Sequence, residues 1–237
     1  MRRTDFLREF PLAGSTQGGL MRRSVVCACL ISLCLPALSQ AQGTNINADL
    51  LAAARGGREA AVGALLEQGA SADSRNRLGD TPLILAAKNG FTPMGLMLIE
   101  RGADVNLRNI SGISPLMAAA YNGNLDLARA LLARKADLAP TDRVRKTAAV
   151  YAAGNGHAEV LRALLDAGVD VNARYDNELT ALMWAAAYGH DAAVRLLIER
   201  GADVNARDNR GKTAAMMAED GGHRGIIDLL REAAAKR

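Results

Sequence analysis

Two stretches decide the fold of this chain: residues 79–106, GDTPLILAAKNGFTPMGLMLIERGADVN, and residues 180–205, TALMWAAAYGHDAAVRLLIERGADVN. Each has Thr before a short apolar segment, a glycine, a second apolar segment, and the ending Gly-Ala-Asp-Val-Asn. The pattern recurs every 33 residues without insertion or deletion. The residues in register with Thr81 are Ser114, Thr147, Thr180 and Thr213, and the glycines nine positions later are Gly90, Gly123, Gly156, Gly189 and Gly222. A fixed period of this length indicates a repeat array.

One unit can be interpreted physically. The Thr or Ser caps a helix, and Pro82 and Pro115 occupy the first helical position, where a missing N–H does no harm. The glycine ends that helix in the left-handed conformation, and a second helix with paired aliphatic residues such as Leu131-Leu132 follows. We expect the aspartates that open the next loop to accept hydrogen bonds from backbone amides. They are Asp104, Asp137, Asp170 and Asp203.

These residues resemble the ankyrin repeat, whose pattern is Gly-x-Thr-Pro-Leu, paired Ala, Gly-His, Leu-Leu and Gly-Ala-Asp-Val-Asn. The resemblance implies an all-α solenoid of stacked helix-turn-helix units with hairpin-like loops. Within an ankyrin-repeat domain of residues 42–237 it gives polar caps at both ends. The units are a degenerate opening repeat at 45–75, repeats at 76–108, 109–141, 142–174 and 175–207, and a C-terminal cap at 208–237.

Several residues depart from the repeat pattern. Lys135 stands where glycine ends the second helix elsewhere, and Arg145 and Glu178 replace a loop glycine. Ala139-Pro140 interrupts another loop. A left-handed residue other than glycine costs about 1–2 kcal/mol. We therefore expect the middle loops to differ in shape from the outer ones.

Residues 1–41 are predicted to be a leader. Arg22-Arg23 precede the apolar run 25–38, which is too short to span a bilayer, and small residues favour cleavage after Ala41. Met21 is the expected start of translation. The general secretory route is favoured over the twin-arginine route and over lipid anchoring, and an uncleaved anchor or buried helix is the alternative. The protein is accordingly expected in the periplasm or secreted.

Removing this leader changes the composition. The whole chain has 29 Lys+Arg, 25 Asp+Glu and three cysteines. The leader holds five of the basic residues, two of the acidic residues and all the cysteines, which leaves 24 basic and 23 acidic residues. A nearly neutral product without thiols gives no support for a nucleic-acid partner.

No catalytic or metal site is expected. His157, His190 and His223 are 33 residues apart, and equivalent residues of stacked helices lie about 8–10 Å apart, too far to share one zinc ion. Each is expected to bond to backbone instead. One Asp per repeat cannot supply the six to eight oxygens that calcium takes, and the sequence contains no Gly-x-Ser-x-Gly elbow or phosphate loop. We expect a non-enzymatic protein without cofactors.

We expect a monomer. The resemblance implies that it binds another protein through loop tips and the exposed end of the first helix, on the concave face. We expect the row to be apolar and aromatic, flanked by basic residues, as suits protein contacts. Its predicted members are Arg77, Leu78, Asp80, Lys88, Ile110, Ile113, Tyr121, Asn122, Val144, Lys146, Asn155, Leu179, Tyr188, Arg210 and Lys212. Trp184 is expected to pack between helices.

Three alternatives to this interpretation stay open. The row residues could pack loop against loop without a partner. Tyr121 and Tyr188 could stack on a glycan, or a cryptic active site could exist. If the partner is a protein, the chain could be a scaffold for an exported enzyme or an inhibitor or immunity protein that blocks a toxin or hydrolase.

Overall fold

The computed structural model describes residues 45–236, so the predicted leader lies outside the described residues. Within residues 45–236 the chain forms twelve α-helices, one 3₁₀ turn at Asp176–Glu178, and no β-strand. The helices are α1 (Ile46–Arg55), α2 (Glu59–Glu67), α3 (Pro82–Asn89), α4 (Thr92–Glu100), α5 (Pro115–Asn122), α6 (Leu125–Ala133), α7 (Ala148–Gly154), α8 (Ala158–Asp166), α9 (Ala181–Ala187), α10 (Asp191–Glu199), α11 (Ala214–Asp220) and α12 (Arg224–Ala235).

The helices form pairs that stack in chain order. Each odd-numbered helix packs against the next odd-numbered helix, and each even-numbered helix packs against the next even-numbered one. This arrangement confirms the predicted all-α solenoid. The paired alanines of α3, α5, α7 and α9 are fully buried, because a methyl group lets neighbouring helices approach closely. They are Ala86, Ala87, Ala119, Ala120, Ala152, Ala153, Ala185 and Ala186.

The first helix of each full unit begins at a hydroxyl cap, as expected. The side-chain oxygen accepts a hydrogen bond from the backbone N–H three residues later, at 3.2–3.4 Å. Such a bond satisfies one of the amides that a helix start leaves without an internal partner. The capping residues are Thr81, Ser114, Thr147, Thr180 and Thr213.

The three histidines connect neighbouring units. In each, Nε2 lies 2.9–3.2 Å from a carbonyl oxygen 36 residues earlier, at Tyr121, Gly154 and Ala187 respectively. The expected bond to backbone is confirmed, and its partner belongs to the preceding unit. The close approach also requires glycine beneath the ring: a Cβ on Gly156, whose φ is 75°, would stand 2.5 Å from Nδ1 of His190.

Five loops follow the second helices and bear two sets of Asn and Asp side chains. We name these loops by their residues: L1 (70–80), L2 (103–113), L3 (136–146), L4 (169–179) and L5 (202–212). The aspartates that open L2 to L5 accept the N–H two residues later, as predicted. In L1, L2, L3 and L5 a further side chain accepts the N–H groups two and four residues on, and these residues are Asn76, Asn109, Asp142 and Asp208.

The prediction that the middle loops differ in shape holds for L4 and for the first half of L3. In L3, Leu138 and Ala139 form a bend where the other loops have a turn. The second half of L3 keeps the common turn, although Arg145 has a φ of 58° where L1, L2 and L5 have glycine. In L4, Tyr175 stands in the Asn/Asp position and cannot accept the loop amides. There both Asn177 and Glu178 are left-handed, and a 3₁₀ turn forms. Lys135 is left-handed as expected, with a φ of 59°.

None of the helices between residues 45 and 236 combines the length and the apolar character needed to cross a bilayer.

Candidate binding surface

The loop tips and the exposed ends of the odd-numbered helices lie along one side of the units, which we call the binding face. Five large apolar side chains of the predicted row are exposed there, and three of them, Tyr121, Val144 and Tyr188, keep 55%, 62% and 57% of their surface. The other two are Leu78 and Ile110. Such a row of solvent-exposed apolar groups is unusual on a surface without a partner.

The polar members of the predicted row occupy different environments. Arg77 is exposed and forms no ion pair with residues 45–236. Asn122 and Asn155 are exposed, but their amides donate to backbone carbonyls, Asn122 to Ala87 and Lys88 of the preceding unit. Ile113, Lys146, Leu179 and Lys212 are half-buried, whereas Lys88 and Arg210 are exposed.

The predicted row is wrong for Asp80, because this side chain is only 3% exposed and cannot form part of a contact surface. Its carboxylate accepts hydrogen bonds from Lys88 at 2.7 Å and from Asn109 at 2.8 Å. Burial acts to raise the pKa of Asp80, but the bonds from Lys88 and Asn109 outweigh it and hold the pKa below its usual value. Asp80 therefore fixes L1 to L2 and anchors Lys88 rather than touching a partner.

A cluster of four aromatic rings occupies the middle of the binding face. Tyr121 and Tyr151 meet edge to face with ring centroids 5.6 Å apart, and Trp184 stacks on Tyr188 at 5.9 Å. Lys146 lies between the two pairs, with Nζ 4.7 Å from the centre of the Trp184 ring and 5.7 Å from that of Tyr151. Both distances are within the range of cation–π attraction.

Tyr151 is held in place from below. Its hydroxyl donates a hydrogen bond to the buried carboxylate of Asp142, the same side chain that accepts two amides of L3. Burial raises the pKa of Tyr151, and the Asp142 carboxylate raises it further. The phenol stays protonated at neutral pH, so this ring is a fixed part of the surface.

A groove opens beside the stacked rings, between α9 and α11. Its volume is about 360 Å³, and it is lined by Leu179, Trp184, Tyr188, Lys212, Met217 and Asp220, among others. The walls combine aromatic rings with charges at one end, where Lys212 pairs with Asp220 at 2.5 Å. An open groove of this kind fits a side chain or a short segment of another molecule better than a small enclosed ligand.

Comparison with known protein families identifies the architecture. A family model described as ankyrin repeats in three copies matches residues 29–109, 50–142, 97–175 and 151–236. The chain belongs to the ankyrin-repeat family. Ankyrin repeats are generally protein–protein interaction modules and are typically non-catalytic. A search of curated proteins found no match.

The row predicted from the sequence omits two residues that this ankyrin array presents on its binding face. Tyr151 and Trp184 share a register position with Leu85, Ala118 and Met217, all of which are buried. Trp184 does pack against the core as expected, but its ring is too large for that position and extends into the groove. The signal in the sequence was the size of these two side chains in a position otherwise filled by smaller ones.

A second cavity of the ankyrin array lies between L3 and L4. Its volume is about 520 Å³, and its walls include Leu138, Arg145, Asp170, Tyr175 and Asp176. Arg145 and Asp176 approach to 3.6 Å across it. No prediction from the sequence pointed to this cavity.

Among residues 45–236, no group of three or more His, Cys, Asp or Glu side chains is placed to hold one ion.

Proposed function

We propose that this chain is an exported, non-catalytic ankyrin-repeat protein that binds another protein through its binding face. The observation that supports this best is the cluster of Tyr121, Tyr151, Trp184 and Tyr188 beside an open groove. Tyr and Trp are enriched among residues that dominate protein–protein binding energy. Their rings are already stacked in the free protein, so little conformational entropy is lost on binding.

Capture of the partner tests this function. We would crosslink proteins in producing cells, isolate the chain, and compare wild type with the triple variant Tyr121→Ser, Leu179→Ser and Tyr188→Ser. We expect the partner to be lost from the triple variant. The matched control replaces three exposed residues of the even-numbered helices, Asp126, Arg129 and Glu199, by Ser, and we expect it to retain the partner.

Folding must be separated from binding in this experiment. Leu179 is half-buried, so the double variant Tyr121→Ser and Tyr188→Ser, at two exposed positions, is measured as well. Urea unfolding should leave the double variant close to wild type in stability. A partner that binds the double and triple variants as tightly as wild type would show that the binding face is assigned wrongly.

The captured protein also decides the biological role. A resident exported enzyme would indicate a scaffold, and a toxin or hydrolase arriving from outside would indicate an inhibitor or immunity protein. Loss of that enzyme's activity on adding purified chain would identify the inhibitor, and unchanged or increased activity would identify the scaffold.

Export is proposed from residues 1–41 alone, and N-terminal sequencing tests it. The mature protein should begin at Gln42 and appear in the periplasmic or extracellular fraction. A cytoplasmic protein that keeps residues 25–38 would contradict export while leaving the binding face untouched.

A further inference from the structure

The residue just before the helix cap is charged in three units, where it is Asp80, Lys146 or Lys212. These charges indicate the chemistry of the protein partner. In two of these units the charge is neutralised within the chain by the residue eight positions later. Asp80 pairs with Lys88 at 2.7 Å, and Lys212 pairs with Asp220 at 2.5 Å. The two pairs have opposite polarity, so the arrangement is a general one for this register.

Lys146 breaks this rule. It occupies the same register position, but the residue eight positions later is Gly154, which has no side chain. Among residues 45–236, no carboxylate lies within ion-pair distance of Lys146. The space that a side chain at 154 would use is next to Trp184, whose Cε3 would be 3.7 Å from an added Cβ. The lysine therefore lies on aromatic rings instead of an internal anion.

The rings leave Lys146 able to bind an anion. An ammonium group has three donors, and the faces of Trp184 and Tyr151 attract its charge without accepting strong hydrogen bonds. Lys146 is half-buried, so part of its hydration is already replaced by the rings. A carboxylate of a partner could complete the interaction, as Asp220 does for Lys212.

The surroundings favour an acidic protein segment over a nucleic acid. Binding to a phosphate backbone usually needs several Lys or Arg side chains along one path. Here Lys212 is neutralised by Asp220, and Arg210 is paired with buried Asp208 at 2.8 Å. Arg77 and Arg143 also form no ion pair with residues 45–236, but neither lies over an aromatic ring. Lys146, next to the stacked rings of Trp184 and Tyr188, matches one carboxylate beside one apolar residue.

We propose that the partner presents an aspartate or glutamate side chain to Lys146 and lays an adjacent apolar residue on the Trp184–Tyr188 rings. This inference rests on the proposed protein-binding function. Lys146 supplies the charge, and the stacked rings supply the apolar contact area. Gly154 is the residue that leaves this site unsatisfied within the chain.

The variant Gly154→Asp tests the proposal without removing the lysine. It recreates the pairing seen at Lys212 and Asp220, so the internal carboxylate should neutralise Lys146. The matched control is Gly154→Asn, which has the same size and no charge. Position 154 is the last residue of α7, and an added Cβ meets only Trp184 at ordinary van der Waals distance, so both variants should fold.

The probe is a random dodecapeptide library displayed on phage, selected on the purified protein. We expect peptides selected on wild type to be enriched in Asp or Glu next to an aromatic residue, Pro or Leu. Their Kd should rise at least tenfold with Gly154→Asp and with Lys146→Met, and should change less than threefold with Gly154→Asn. Thermal unfolding of each variant verifies that it is folded.

Different failures identify different errors. Selected peptides without acidic enrichment, whose affinity depends on Tyr188 but not on Gly154→Asp, would overturn this inference and leave the proposed function standing. Affinity that is unchanged by Tyr121→Ser and Tyr188→Ser would overturn both. Failure to select any peptide, or tighter binding of oligothymidylate or of a chitin oligosaccharide at Lys146, would also overturn the acidic-segment inference.

Discussion

The junction between L3 and L4 is built differently from the other three loop junctions. Two kinds of hydrogen bond recur at each of those three, one from a backbone N–H to an Asp or Asn side chain and one between backbones. The side-chain bonds join Asp73 to Asp104, Asn106 to Asp137, and Asn172 to Asp203. The backbone bonds join Leu78 to Ile110, Ser111 to Arg143, and Asn177 to Asn209.

Neither bond forms between L3 and L4. Ala139 stands where a side-chain acceptor is needed, and the altered turn of L4 removes the N–H of Asp176 from the carbonyl of Val144. The helices α7 and α9 nevertheless pack against each other as elsewhere. Here Arg145 of L3 approaches Asp176 of L4, and Lys146 of L3 lies over Trp184 of α9. The helix stack therefore holds this junction together, and the side chains of L3 are free to form a surface.

The largest effect is expected from breaking the helix side of the L3–L4 junction. Gly156→Ala adds a left-handed alanine, at about 1–2 kcal/mol, and a collision with the His190 ring that adds about 1–3 kcal/mol of overpacking. Urea unfolding should therefore show a loss of about 2–5 kcal/mol. In the control Gly90→Ala, φ is 74° and nothing lies near the added Cβ, so only the first penalty should appear. Equal losses would show that His190 does not press on position 156.

A smaller effect is expected from opening a bonded loop. Asn109 accepts the N–H groups of Ser111 and Ile113, and its amide donates to Asp80. Asn109→Ala leaves these groups without partners, so the free energy of unfolding should fall by about 2–3 kcal/mol. Urea unfolding measures this change, and the control is Asn205→Ala, at an exposed position in L5 whose side chain forms no hydrogen bond with residues 45–236. A loss below 0.5 kcal/mol for Asn109→Ala, on the order of an exposed substitution, would mean that water replaces the missing bonds.

Adding the missing acceptor should make the L3–L4 junction resemble the others. Ala139→Asn places an amide where Asn106 and Asn172 stand, facing the N–H of Asp170. Stability should rise by about 1 kcal/mol, the usual net value of a hydrogen bond. Asn172→Ala removes the equivalent bond between L4 and L5 and should lower stability by a similar amount, again measured by urea unfolding. If Ala139→Asn does not stabilise the protein, L3 and L4 are too far apart to be joined by one side chain.

The smallest effect concerns backbone strain. Lys135 is exposed and left-handed, so Lys135→Gly should raise stability by up to about 1 kcal/mol. Lys135→Ala keeps the strain and serves as control. Thermal unfolding should place the glycine variant above both wild type and the alanine variant. If Lys135→Ala unfolds at a higher temperature than Lys135→Gly, the left-handed backbone at this position does not cost stability.

Much of the helix stack could be predicted from the sequence, because its determinants are local and repeat in register. Thr81 and its equivalents cap helices wherever they occur, and the paired alanines are buried in every full unit. The histidines were correctly expected to bond backbone. Their partners in the preceding unit could not be found locally, since those contacts depend on how neighbouring units stack.

The binding face was harder to predict from the sequence than the helix stack. Asp80 resembled a tip residue by position, but its burial depends on Asn109, which lies 29 residues away. Trp184 extends into the groove because its ring is too large for a position that Leu85, Ala118 and Met217 fill with buried side chains. Ala139 predicted an irregular L3, but the open junction also depends on the turn at Asn177 and Glu178, which forms where Tyr175 replaces the Asn or Asp acceptor of the other loops.

The fluorescence of Trp184 tests the central claim, that partners bind over the aromatic cluster, most directly. The chain contains one tryptophan, and its ring lies in the groove beneath Lys146 and beside Tyr188. Titration with a selected peptide or the captured partner should change its emission and protect it from acrylamide quenching, with a midpoint equal to the measured Kd. Full binding with unchanged emission and unchanged quenching would place the partner elsewhere on the protein and contradict the account.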